Sequence, residues 1–260
     1  MGSHQEAAAA AGVVVRELRE IGEFAQVYAL FEEIWHPDPR NVPIPVELMI
    51  GFAHTGNYVA GAFEGDALVG ASVGFLGSGR SLHSHVTGAA IGRGVGYALK
   101  CHQRDWCLER GLERITWTFD PLVRRNARFN LVKLGARPEK YLPDFYGIMA
   151  DKINEGDASD RLLAVWRIGP GSEAVEEPPR RAYPVLWEAE DGRPVAAAGK
   201  AAGSVVSVAT PADVETLRRT DPEAARAWRT AVRDALGGAM DAGGQVVGFT
   251  ERGEYLLLIN

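Results

Sequence analysis

The stretch from Leu82 to Arg110 constrains this chain more than any other. Leu82–Ala89 reads as a strand, and it runs into Gly92-Arg93-Gly94-Val95-Gly96. Val95–Arg110 then reads as an amphipathic helix, closed by Gly111 in the usual position past a helix end. Glycines let the backbone take positive φ and approach a ligand closely. A helix start adds unpaired N–H groups and the positive end of the helix dipole. Together these features make a cradle for an anion such as a pyrophosphate. Strand, glycine turn and helix also describe an ordinary tight turn, so the surrounding order of elements has to decide.

That order is regular. Val13–Leu18 is short and β-branched, which predicts a first strand. Phe24, Val27, Tyr28, Phe31, Ile34 and Trp35 recur at helical spacing over Ile21–Trp35, and His36-Pro37-Asp38-Pro39 breaks the run. Pro45–Ala53 reads as a second short helix. Asn57–Phe63 and Ala67–Gly77 flank Glu64-Gly65-Asp66 as a hairpin. In Arg114–Asp120, Ile115, Trp117 and Phe119 alternate with Thr116, Thr118 and Asp120, the pattern of a two-faced strand. Arg125–Leu134 is a helix ended by Gly135.

The texture changes near Gly169, and Gly169–Pro179 is rich in proline, glycine and glutamate. Tyr183–Glu188 and Val205–Val208 read as strands. Thr210 and Pro211 read as the start of a helix to Arg219, and Asp221 and Pro222 as the start of one to Ala242. Val246–Phe249 and Tyr255–Ile259 read as a closing hairpin. The expected domains are residues 13–168, a linker at 169–182, and a small α+β region at 183–260. Met1–His4 reads as an expression remnant, and Ala7–Ala11 lacks the charged flank of a signal peptide.

Charge narrows the function. Lys and Arg number 28 against 34 Asp and Glu, a formal net charge of -6, which argues against a nucleic-acid partner. No apolar run approaches the roughly 20 residues of a membrane helix. Cys101 and Cys107 lie on different turns of one predicted helix, too few and too badly placed for a disulfide framework, so a reducing cytoplasm is expected.

Asn126-Ala127 opens the helix after the two-faced strand, and Lys133-Leu134-Gly135-Ala136 ends it. With the strand, hairpin, glycine turn and long helix before it, this order resembles the GNAT superfamily of acyl-CoA transferases over Val13–Ile168. Leu82-His83-Ser84-His85, Gly94–Lys100, Thr116–Pro121, Tyr141-Leu142-Pro143, Phe145-Tyr146-Gly147 and Ser159–Leu162 are similar to one branch of it. That branch has an extra C-terminal region, which Trp228-Arg229 and Gly248-Phe249 fit. The resemblance implies an α/β fold with a mixed central sheet between helices and a small C-terminal α+β region. It implies acetyl-CoA or succinyl-CoA as co-substrate, and a small amine, including an amino acid, as acceptor. It further implies CoA contacts at Val86, Gly92, Arg93, Gly94, Val95, Gly96, Tyr97 and Asn126, with the pantetheine arm between the fourth and fifth strands. Two positions depart from the pattern. Ile91 stands where the loop usually has Arg or Gln, and Leu131 where relatives place a tyrosine general acid.

Candidate catalytic residues are His83, His85, Asp120 and Tyr146. His83 and His85 share a strand face, where a neutral imidazole can take a proton from an amine. Packed histidines explain the pair equally well. A zinc site would need a third ligand, and nothing places His102 nearby, so no metal is expected. Asp120 can orient an amine or a histidine, or cap Arg124 or Arg125. Asn126 can contact CoA or cap its helix. Tyr141 and Tyr146 are the nearest phenols for protonating a thiolate, or core tyrosines. Trp117 and Phe119 read as core. Asp221, Glu223, Arg226, Trp228, Arg229, Arg233 and Asp234 read as an amphipathic helix with paired charges, serving as lid, substrate wall or homodimer surface. Two other functions remain open. One is a repurposed scaffold for thioester hydrolysis or rearrangement, the other a non-catalytic CoA- or ligand-binding module.

Overall fold

The computed structural model describes residues 3–37, 42–147, 157–172, 181–197 and 203–259. The chain divides into two compact units, Met1–Trp117 with Arg167–Ser172, and Thr118–Trp166 with Glu173–Asn260. Residues 118–166, expected with the first domain, cluster in the second unit. Asp38 and Pro39, and residues 173–180 of the expected linker, lie outside the described residues.

The first unit holds α1 (His4–Ala11), β1 (Val14–Glu17), α2 (Ile21–Trp35), α3 (Val46–His54), β2 (Tyr58–Glu64), β3 (Ala67–Gly77), β4 (Ser81–Ala89) and α4 (Val95–Glu109). β5 (Arg114–Phe119) begins in it. Neighbouring strands run β1-β2-β3-β4-β5, antiparallel as far as β4 and parallel between β4 and β5. The result is a mixed sheet with helices on both faces. On one face Phe24, Val27 and Phe31 of α2 and Met49 of α3 pack on Val59, Phe63, Ala71 and Val73. On the other, Val95, Ala98 and Leu99 of α4 pack with Ala62 and with Ala8 and Ala11 of α1.

Two glycines let the helices close on the strands. A Cβ at Gly70 would come within 2.7 Å of Val95 on α4, and one at Gly88 within 2.7 Å of Trp35 on α2. Burying an aliphatic side chain on either face stabilises by roughly 1.5–3 kcal/mol, which no short helix here could gain alone.

The N-terminus forms a helix that the sequence reading did not assign. Ser3 accepts from the Glu6 amide while the Glu6 side chain accepts from Ser3, a capping box that starts α1. The alanines carry the helix, and His4 Nδ1 lies 2.7 Å from Asp105 on α4.

The second unit holds α5 (Arg124–Ala127), a π-helical turn (Arg128–Lys133), β6 (Arg137–Leu142) and β7 (Arg161–Arg167). β6 and β7 pair antiparallel, and neither strand was evident from the sequence pattern. Then follow β8 (Tyr183–Glu188), β9 (Pro194–Ala196), β10 (Val205–Ala209), α6 (Val214–Thr220), α7 (Pro222–Val232), a second π-helical turn (Arg233–Gly237), α8 (Gly238–Asp241), β11 (Gln245–Phe249) and β12 (Glu254–Leu258). β8–β12 form a sheet in the order β11-β12-β10-β8-β9. Trp228 of α7 is fully buried and donates to Gly192 O at 2.9 Å.

Asp221 caps α7 by accepting from the Ala224 amide, with Pro222 at the first helical position, as expected. α6 departs from expectation. It begins at Val214 under an Asp213 cap, because Thr210 Oγ1 is turned inward to donate to Gly253 O at 2.7 Å. Among the described residues no helix is long and apolar enough to cross a membrane, and no group of three or more His, Cys, Asp and Glu could hold a metal.

Candidate active site

The site in the first unit is built where β4 and β5 stop pairing. Their parallel ladder joins Ser81 to Arg114, Leu82 to Ile115 and His83 to Thr116. β4 continues to Ala89, so a fork opens beyond His83 and Thr116. Next to the fork β4 carries a bulge. Val73 of β3 pairs with Val86 and Gly74 with Ser84, which leaves His85 as the extra residue. Such bulges twist a strand and re-aim its groups.

His83 and Thr116 lie on one face of the fork. His83 Nδ1 is 3.0 Å from Thr116 Oγ1, and its ring lies 5.1 Å from that of Phe75 on β3. Burial lowers the His83 pKa, with His85 and Lys100 adding to the effect, so the ring is neutral at neutral pH. Among the described residues no group engages its Nε2. His85 is exposed, lies 6.1 Å from the Phe75 ring and bonds Pro43 O through Nε2 at 3.0 Å. Each histidine thus has one ring nitrogen engaged, but only His83 is partly buried at the fork, while His85 is exposed.

The opposite face carries a group that sequence reasoning missed. Lys100 of α4 is 4% exposed. Its Nζ donates to Ser84 Oγ of β4 at 2.8 Å and to Gln103 Oε1 at 3.1 Å, and it sits 4.1 Å from the Trp117 ring centre on β5. Gln103 passes the network on to Ser72 Oγ, which meets Thr87 Oγ1. No carboxylate among the described residues lies within ion-pair distance of Lys100. Burial without a counter-charge pulls its pKa from about 10.4 down to about 7. A lysine on a predicted helix reads as solvent-facing. The available signal was the stripe Lys100, Gln103 and Cys107, at helical spacing on the buried side of α4.

The glycine turn has the geometry of a cradle. Gly92 and Gly94 have φ of 84° and 80°, Gly94 is the N-cap of the 15-residue α4, and a Cβ at Gly96 would meet nothing within 4 Å. Val95 is buried and anchors the helix start, Tyr97 and Val86 are half-buried, and Ile91 is fully outward at 82% exposure. Arg93 pairs with Glu64 at 2.8 Å. Helix start, open backbone and left-handed glycines fit a pyrophosphate.

The remaining candidates lie in the second unit. Asp120 is engaged on both oxygens. Oδ1 accepts from Arg229 at 2.9 Å and from the Leu122 amide, and Oδ2 accepts from Arg218 at 2.6 Å. Burial would raise its carboxyl pKa, but Arg229 and Arg218 outweigh this and hold it far below the usual carboxylate range. Asp157 joins the same two arginines. Tyr146 is exposed and shares a 2.9 Å hydrogen bond with Thr118. Tyr141 donates to Asp160, and burial and that carboxylate hold its phenol protonated. Asn126 is the third residue of α5, which begins after Val123, so the capping reading of Asn126 does not hold.

No family model matches this chain, and no curated protein matches it. Solved structures do. An acetyltransferase described as probable, from Staphylococcus epidermidis, aligns with a TM-score of 0.51 at 12% identity, over 60% of this chain and 99% of its own. YncA from Salmonella typhimurium, solved with its cofactor acetyl-CoA, aligns at 0.50 and 12%, over 64% and 99%. A GNAT-family protein from Desulfovibrio desulfuricans aligns at 0.49 and 17%. Over 60–64% of its length this chain shares the fold of the first two of these acetyltransferase structures.

Proposed function

We propose that this protein is an acyl-CoA-dependent N-acyltransferase acting on a small amine or amino acid. The observation that carries the reading is the fork itself, with neutral His83 on one face and Lys100 on the other. Gly92–Gly96 would hold the pyrophosphate of the acyl-CoA substrate, and the fork its thioester. His83 Nε2, directly or through one water, accepts a proton from the acceptor amine as its nitrogen attacks the thioester carbon. The new C–N bond forms as the C–S bond breaks. Protonated Lys100 then passes a proton to the departing thiolate. With a pKa of about 7 it is acidic enough to protonate a thiolate whose own value is roughly 8.5. That assignment supplies the acid that Leu131, buried at 1% exposure, cannot. Backbone N–H groups of β4 beyond the bulge would hold the carbonyl oxygen. Asp120 takes no part, since both its oxygens are occupied.

The experiment is a free-thiol assay with acetyl- and succinyl-CoA against amines and amino acids. Thiol release that requires both an acyl-CoA and an amine supports the proposal. Release without any amine would indicate thioester hydrolysis instead. Silence with every pair would refute the transferase reading.

A further inference from the structure

Lys100 lies across the mouth of the fork. The last paired positions of β4 and β5 are His83 and Thr116. The next residues, Ser84 and Trp117, are the first on each strand beyond the ladder. Lys100 Nζ reaches both, at 2.8 Å from Ser84 Oγ and 4.1 Å from the centre of the Trp117 ring.

A charged ammonium has three N–H donors and no acceptor. One goes to Ser84 Oγ, a second to Gln103 Oε1 at 3.1 Å, and the third is left for the indole face. None remains for a thiolate. Gln103 is fully buried, and its Nε2 donates to Ser72 Oγ at 3.2 Å, so its Oε1 is held facing Lys100. An amide oxygen fixed in this way accepts and cannot pass a proton on. Ser84 differs. It is 4% exposed, its Oγ accepts from Lys100, and its own O–H has no acceptor among the described residues. A buried donor without an acceptor is costly, and this one lies where the strands part, one residue before the bulge at His85. The titratable groups whose charge reaches Lys100 are Cys107 of α4 and His83 of β4.

We propose that Ser84 is the catalytic residue that donates to the departing CoA thiolate, with Lys100 as the proton source behind it and Gln103 as the residue that positions Lys100. The proposal rests on the acyl-transfer reading of this site. As the C–S bond breaks, the Ser84 O–H bond breaks and an S–H bond forms. Ser84 Oγ takes a proton from Lys100 Nζ, so the hydroxyl is restored and Lys100 is left neutral. His83 by then holds the proton of the amine. Solvent removes that proton and returns one to Lys100 after the products leave, so no proton is gained or lost overall.

Two readouts on the full chain test this. The first is amine-dependent thiol release across pH. The second needs no turnover: the pH titration of the thiol of bound CoA, read by the ultraviolet absorbance of the thiolate. Ser84→Ala should lower kcat about 10²-fold, with Tm and the KM for acyl-CoA close to wild type. Ser84→Thr keeps the hydroxyl and should recover most of the rate. Gln103→Leu takes an acceptor from the ammonium and disfavours its charged form. The alkaline fall in kcat, expected near pH 7 in wild type, should therefore move to lower pH. The thiol bound to wild type should ionise at lower pH than free CoA, because Ser84 donates to the thiolate, and Ser84→Ala should return it toward the free value. If Ser84→Ala matches wild type in rate or in the bound-thiol titration, the proposal is overturned, while amine-dependent release keeps the transferase reading. A bound thiol that senses Ser84, without amine-dependent release, would sink the transferase reading and support Ser84 as the donor to the thiolate. A wild type that neither binds CoA nor releases thiol would overturn both.

Discussion

The two units bury charge in opposite ways. In the first, Lys100 is enclosed with hydroxyls, an amide and an indole, and no carboxylate balances it. In the second, Arg218 and Arg229 are equally enclosed, but each touches both Asp120 and Asp157. Burying a charge is expensive unless it is paired. Lys100 meets that cost by giving up its proton near neutral pH, while the arginines keep theirs and draw in aspartates. The first arrangement is suited to moving protons. The second is suited to fixing positions, and the pKa directions agree, with Lys100 pulled down and Arg229 pushed up.

The largest expected effect breaks the comparison at its paired end. Asp120→Ala would leave two guanidiniums buried with one carboxylate between them. Breaking such a buried network costs about 3–5 kcal/mol. Urea unfolding should show the second unit losing stability by that order, and a change under 1 kcal/mol would mean that the network is not structural.

Lys100 should respond in the opposite sense. Its folded pKa of about 7 lies below the unfolded value of about 10.4, so the unfolded chain binds more protons between those two limits. Stability should therefore rise with pH from about 7 to about 10, by roughly 1.4 kcal/mol per unit at most. Lys100→Met should flatten that rise and keep the fold at pH 7, although Ser84 and Gln103 lose a partner. Urea midpoints at pH 7 and pH 10 check this, and identical slopes for both proteins would mean that Lys100 titrates normally.

On activity, His83→Ala should lower turnover about 10²-fold, the scale of one general base, with Tm within a few degrees of wild type. His85→Ala should cost far less, since its ring is exposed and bonds Pro43 O rather than a residue of the fork. Equal losses for both would return the base to the pair. The smallest effect is local. Asp221→Ala removes the cap of α7 and should cost about 1 kcal/mol in urea unfolding, without touching thiol release.

Much of the fold was legible because its signals are local. The alternation in Arg114–Phe119, the periodicity of Ile21–Trp35, and the Asp221-Pro222 start each depend on neighbours a few residues apart. The glycine turn was legible for the same reason. β6 and β7 were not, since Arg137-Pro138-Glu139-Lys140 has no alternating pattern and becomes a strand only by pairing with β7. α1 was missed because a run of alanines carries no amphipathic signal. At the site, His83 could be named from its strand. Lys100 could not, because its burial depends on Ser84, Gln103 and Trp117 meeting around it. Asp120 was identified as a candidate, but its partner Arg229 lies 109 positions away, and nothing in either segment points to the other.

The central claim is that the glycine turn of the first unit receives the phosphates of an acyl-CoA. Calorimetric titration of acetyl- and succinyl-CoA into wild type and Gly94→Glu tests it most directly. That substitution sets a carboxylate beside the cradle, at a position whose φ of 80° suits glycine. Saturable binding by wild type, lost in a Gly94→Glu protein that is still folded, is the predicted result. No binding by wild type, or equal binding by both, would contradict it.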